Sequence, residues 1–168
     1  MAPGNGHERI DGMTGNFASF MEAALEEARR AAAEGEVPVG AVVVHEGRIV
    51  GRGRNRTRSG PDPTAHAEIE AIRAAARALG RERLDGCDLY VTLEPCAMCA
   101  GALSHARIRR LYYGAADPKS GGVAHGARVF THPQCHHAPD VYDGIAEADA
   151  AALLRRFFAA RRGGGETE

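Results

Sequence analysis

Apolar residues recur three or four positions apart at Phe17, Phe20, Met21, Ala24, Leu25 and Ala28, and the run stops at Gly35. That spacing predicts a helix with one buried face and Asn16 as its N-cap. Residues 1–15 show no such period and are rich in glycine, so they read as a disordered leader. The period then changes. Residues 39–44 and 48–54 read as two strands joined by the turn His45-Glu46-Gly47, and 55–63 as a loop. Thr64 opens a second helix with Ile69, Ile72, Ala76 and Leu79 on one side and Gly80 past its end. A third strand at 89–93 is broken by Pro95; a short helix at 97–106, a strand at 108–113 and a closing helix at 146–161 follow. The stretch 114–143, rich in Gly, Pro and His, has no readable period, and 163–168 reads as a disordered tail. Strands alternating with helices over 16–162 predict one α/β domain, a three-layer sandwich around a single sheet.

The chain length of 168 residues suits one domain, and 44% hydrophobic with 26% charged residues is the balance of a soluble globular protein. The longest near-apolar run, 37–44, is too short to cross a bilayer, which points to the cytoplasm and to no membrane partner. A net charge of −1 excludes a global field that would recruit nucleic acid, so any such partner must meet local clusters. Three exist: Arg48, Arg52, Arg54, Arg56 and Arg58; Arg107, Arg109 and Arg110; and Arg155, Arg156, Arg161 and Arg162. In an extended strand Arg52, Arg54, Arg56 and Arg58 share one face, a row of planar donors suited to phosphates. A solvated loop and a polar helix end explain the same charges without a partner.

Four cysteines in such a chain suggest metal binding or catalysis rather than a disulfide scaffold. Cys96 and Cys99 follow a strand in Pro95-Cys96-Ala97-Met98-Cys99, a spacing that lets both sulfurs face one tetrahedral metal. A shuffled chain of this composition would contain that pattern only about 0.005 times, so chance explains it poorly. His66-Ala67-Glu68 is weaker alone, but both motifs fall at the start of a helix, where exposed N–H groups and the dipole favour thiolates. His66, Cys96 and Cys99 make three zinc ligands, which leaves a position for water, and Glu68 stands beside them to move protons. A fourth ligand from Cys87, Cys135, His125, His132, His136 or His137 would close the site into a structural one. Cys135-His136-His137 is also a candidate for a separate small metal site. Surface histidines, with Cys87 as a buried strand residue, are the simpler expectation.

With these motifs the chain resembles the zinc-dependent nucleobase deaminases, and among them the bacterial tRNA adenosine deaminases. The resemblance rests on Glu36-Val37-Pro38-Val39-Gly40-Ala41-Val42, Asn55, Asp62-Pro63-Thr64-Ala65-His66-Ala67-Glu68, Leu89-Tyr90-Val91-Thr92-Leu93-Glu94-Pro95-Cys96 and Met98-Cys99-Ala100-Gly101-Ala102. Arg107-Ile108, Gly114-Ala115 and Asp117-Pro118-Lys119 extend it, so that it spans roughly Phe17 to Arg162. It implies a cytidine-deaminase-like fold with a five-stranded mixed sheet, one Zn²⁺ per subunit, a homodimer, and conversion of adenosine to inosine at the wobble position of a tRNA anticodon stem-loop. By the same resemblance Asn55 binds the base or sugar, and Glu68 with the Ala67 and Cys96 backbones and Pro95 holds the ring. Asp117 and Lys119 line the anticodon path, and Phe157, Phe158 and Arg162 meet neighbouring nucleotides. Aromatic stacking on bases suits that last group, although adjacent Phe residues on a helix also serve as core. The chain departs from the family pattern most between Gly121 and His137, including the stretch 121–128 and His136, where Asn is expected. A free guanine or cytosine deaminase of the same fold, and a zinc-stabilised RNA-binding module without catalysis, are the alternative readings; the last would have no use for Glu68.

Overall fold

Along Ala41-Val42-Val43-Val44 all four side chains are buried, so this strand must be covered on both faces. It is β1 (Gly40–His45), paired antiparallel to β2 (Arg48–Arg54) on one side and to β3 (Cys87–Leu93) on the other. β4 (Arg110–Ala115) and β5 (Asp140–Tyr142) continue in parallel, giving the order β2-β1-β3-β4-β5. The structure is a computed structural model that describes residues 6–163, with side chains from Phe20 onward.

Strand alternation sends Val42, Val44, Tyr90 and Tyr112 to one face, against α1 (Gly6–Ala33) and α4 (Glu147–Gly163). Ala41, Val43, Leu89, Val91 and Leu111 go to the other, against α2 (Ala67–Leu79) and α3 (Ala97–Ala106). The expected three-layer sandwich with a five-stranded mixed sheet is therefore present. α2 lies unusually close to β2, because a Cβ on Gly51 or Gly53 would strike the Ala71 or Ala67 carbonyl. That contact fixes where α2 begins, and hence where His66 stands. Among the described residues, no helix is long and apolar enough to cross a membrane.

Several boundaries differ from the periodic reading. The helix expected from Asn16 is already helical at Gly6, so no break separates 6–15 from it; no proline interrupts this stretch, and each glycine costs only about 1 kcal/mol relative to Ala. Residues 1–5 of the expected leader and 164–168 of the expected tail lie outside the described residues. α2 starts at Ala67 rather than Thr64, since the Asp62 carboxylate accepts the Thr64 N–H (2.8 Å) and hydroxyl (2.7 Å) and holds a turn ahead of it. The fourth strand starts at Arg110 rather than 108, because Arg107 takes a left-handed cap (φ 63°) and the Ile108 N–H closes α3 on Leu103. Within 114–143 lie the 3₁₀ turn Val129–Thr131 and β5, both too short to leave a period.

Candidate active site

His66 and Cys96 are the N-caps of α2 and α3, both extended (ψ 155° and 174°), and neither side chain caps its own helix. Each is free to turn outward, and the helices bring them together. His66 Nδ1 lies 3.6 Å from Cys96 Sγ and 3.5 Å from Cys99 Sγ. Zinc bonds of about 2.3 Å to sulfur and 2.0–2.1 Å to nitrogen, at the tetrahedral angle, put such atoms about 3.6 Å apart. The donor set thus fits zinc in both chemistry and spacing. Among the described residues these three are the one cluster of His, Cys, Asp or Glu whose ligand atoms gather closely, within 4.8 Å of one another.

The electrostatics are those of a shared ligand cluster. Cys99 and His66 hydrogen-bond the Cys96 thiolate and bring its pKa down to about 4, against the cost of burial. The hydrogen bond with Cys96 and its own burial push the Cys99 thiol up. The hydrogen bond to Cys96 raises His66. Glu68, 4% exposed, is raised by burial above the ordinary carboxylate range and reaches Cys99 without joining the cluster.

A cavity of about 290 Å³ opens on His66, Glu68 and Cys96, and Asn55, Thr57, Asp117 and Ser120 are among the residues that wall it. Two buried carboxylates tie down these walls. Glu36 accepts the N–H of Arg58 (3.1 Å) and Ser59 (2.7 Å), and Glu94 accepts several N–H groups of the 117–125 segment. Burial would raise Glu94, but the His125 imidazole and the backbone donors outweigh it and hold the carboxyl below its ordinary value. Asn55 Oδ1 is, among the described residues, the one buried side-chain polar atom without a hydrogen-bond partner. Asn55 is one of the residues that line the cavity.

The matched family is the cytidine and deoxycytidylate deaminase zinc-binding region, over residues 16–115. The chain belongs to this deaminase family. A tRNA-specific adenosine deaminase of Agrobacterium fabrum is 63% identical over 85% of the chain and 94% of the relative, and one of Aquifex aeolicus is 44% identical over 83% and 91%. A solved structure from a study of A-to-I editing by tRNA:A34 deaminases at the wobble position of transfer RNA superposes with TM-score 0.80 at 63% identity, covering 81% of this chain and 99% of that one. A guanine deaminase from Nitrosomonas europaea superposes with TM-score 0.74 at 27% identity, covering 84% of each.

The other expected residues of this deaminase-family chain are placed unequally. Ala67 and Asp117 line the cavity with Asn55, whereas Pro95 is buried behind it and its carbonyl accepts the Gly122 N–H. Lys119 is exposed and off the cavity wall, where Ser120 stands instead. Phe158 is 45% exposed, while Phe157 lies under the Arg161 guanidinium (4.6 Å), which also donates to the Gly35 carbonyl (2.7 Å). Arg162 is exposed beside them. The phosphate-facing row expected at Arg52 and Arg54 is corrected. Arg54 makes a two-pronged bond to Glu34 (3.0 and 2.8 Å) and reaches Glu27 (3.5 Å), and Arg52 lies 3.9 Å from Glu27, so both latch β2 to α1. No fourth ligand arrives among the described residues. Cys87 is buried in β3 near His45, Cys135 meets Ser104 and the His137 carbonyl, and His137 donates to the Ile108 carbonyl. Glu36, Val37, Val39 and Glu94 entered the sequence reading only as parts of the family motifs, and neither they nor Thr57 and Ser120 were given a role at the site, since nothing in their spacing marks one.

Proposed function

We propose that this chain carries out the hydrolytic deamination of adenosine to inosine at the wobble position of a tRNA anticodon. The observation that carries the reading is Glu68, a dry carboxyl on the cavity wall, beside the His66, Cys96 and Cys99 cluster but outside it. His66, Cys96 and Cys99 would hold one zinc ion per subunit, which supplies the Lewis acidity that makes an attacking water available near neutral pH. Glu68 takes a proton from that water and passes protons to the ring nitrogen and then to the amine. A C6–O bond forms, the C6–N6 bond breaks, and ammonia leaves. Asn55 offers its unpartnered oxygen to a donor on the base or sugar, and the Ala67 and Cys96 backbones, with Pro95 behind them, frame the ring.

The relatives named for tRNA support RNA as the substrate carrier. Arg56, Arg58 and Lys119, all exposed around the cavity walls, suit its phosphates, and Asp117, Phe157, Phe158 and Arg162 suit the neighbouring nucleotides. A tRNA substrate places the enzyme in the cytoplasm. A homodimer is part of the same reading, supported by the small residues Gly101 and Ala102 of α3, which line a second cavity of about 900 Å³ that another copy could cover. The likeness to a guanine deaminase favours a second reading, a free-purine deaminase. Incubation with anticodon stem-loops, free guanine, cytosine and adenosine separates the two. Inosine in a stem-loop carrying a wobble adenosine is expected; conversion of free guanine alone would replace the reading.

A further inference from the structure

The 117–125 segment has no strand or helix to satisfy its backbone, yet it carries Asp117 and Ser120, which wall the cavity. Its N–H groups converge on one side chain. Glu94 Oε1 accepts the Asp117 N–H (3.1 Å), and Oε2 accepts those of Val123 (3.2 Å), Ala124 (3.1 Å) and His125 (3.2 Å). The His125 imidazole adds Nδ1–H to Oε1 at 2.7 Å; a carboxylate only accepts, so the proton sits on Nδ1. Glycine makes the approach possible. A Cβ on Gly121 would collide with the Glu94 carboxylate and the Asp117 carbonyl, and one on Gly122 would collide with the first residue of α3. The knot is tightly packed at these glycines, and it ties the segment close to Cys96, to which Glu94 is joined through Pro95.

We propose that Glu94 is a positioning residue for substrate. By binding four backbone N–H groups and the His125 side chain, its carboxylate holds the 117–125 wall at the distance from Glu68 that an anticodon nucleotide requires. The inference rests on the adenosine-deaminase reading for the identity of that nucleotide. The donor set also dictates how substitutions rank. In Glu94→Gln an amide NH₂ must face N–H donors on one side, which opens half of the knot, whereas His125→Ala removes one donor and leaves the four backbone bonds.

Two measurements on the zinc-loaded, full-length protein test this: steady-state kinetics on an anticodon stem-loop, with rates normalised to bound zinc, and amide hydrogen exchange over 117–125. For Glu94→Gln we expect KM to rise about tenfold or more, as befits the removal of one to two charged hydrogen bonds, with a smaller fall in kcat and faster exchange at 123–125. His125→Ala should show the same pattern at a smaller amplitude, which keeps the test alive if Glu94→Gln folds poorly. A stem-loop KM within about twofold of wild type in both variants, with 123–125 still protected, would overturn the proposal. If the wild type converts no stem-loop at all, the functional reading fails, and the exchange data still decide whether Glu94 holds the wall.

Discussion

His66 Nδ1 and Cys96 Sγ, 30 residues apart in the chain, stand 3.6 Å from each other because each caps a helix that the sheet aims at the same point. Neither side chain caps its own helix. The two side chains have been diverted from a local stabilising task to a shared one, and the separation they adopt is that of two ligands on one tetrahedral zinc.

Cys96→Ala removes one of three ligands at a site that joins two helices. Zinc content, measured by atomic absorption after dialysis, should fall well below one per chain, and the thermal midpoint should fall with it, because metal affinity is folding energy here. A fully metallated variant would remove Cys96 from the ligand set.

Arg54 and Arg56 lie two positions apart but do different work. Arg54→Ala should lower stability by about 1 kcal/mol in urea unfolding, since it strips Glu34 of its two-pronged bond and Glu27, 2% exposed, of one of its partners. It should leave the salt dependence of RNA binding unchanged. Neutralising Arg56 and Arg58 should spare stability and reduce the slope of log K against log salt by about 0.7 for each phosphate that the variant no longer neutralises. Equal slopes for the two sets of variants would contradict this division.

The first four strands, the sandwich and the cluster of His66, Cys96 and Cys99 were legible in the sequence because each is written in a local period or a fixed spacing. Val42 and Val44 alternate with Ala41 and Val43, and Cys96 and Cys99 are separated by one helical turn. The roles of Glu36 and Glu94 were not legible, since a carboxylate that gathers backbone N–H groups from a loop 22 to 31 residues away leaves no periodic trace. The arginine row failed for a related reason. Alternation correctly put Arg52 and Arg54 on one face of β2, but only the packing of α1 across the sheet shows that Glu27 and Glu34 meet them there. β5 escaped notice because three exposed residues carry no alternation to read.

Glu94 also predicts a pH dependence. Its carboxyl is held below the ordinary value of 4.5, so its ionised form stabilises the fold fully above that value, and the contribution is lost as pH falls through the lowered native one. Thermal midpoints of the wild type and Glu94→Gln, compared from about pH 6 down to about pH 3, should differ most at the upper end and converge towards the lower. A gap independent of pH would mean that the carboxylate charge does not hold the segment.

Every chemical step proposed for this site depends on Glu68 acting beside the metal ligands and not as one of them. Zinc content and ammonia release from an anticodon stem-loop, measured on the same preparations of wild type and Glu68→Gln, test this most directly. Equal zinc in both, with release slowed about 10² to 10⁴-fold in the variant, is the expected result. Undiminished ammonia release, or a zinc-depleted Glu68→Gln protein, would contradict it.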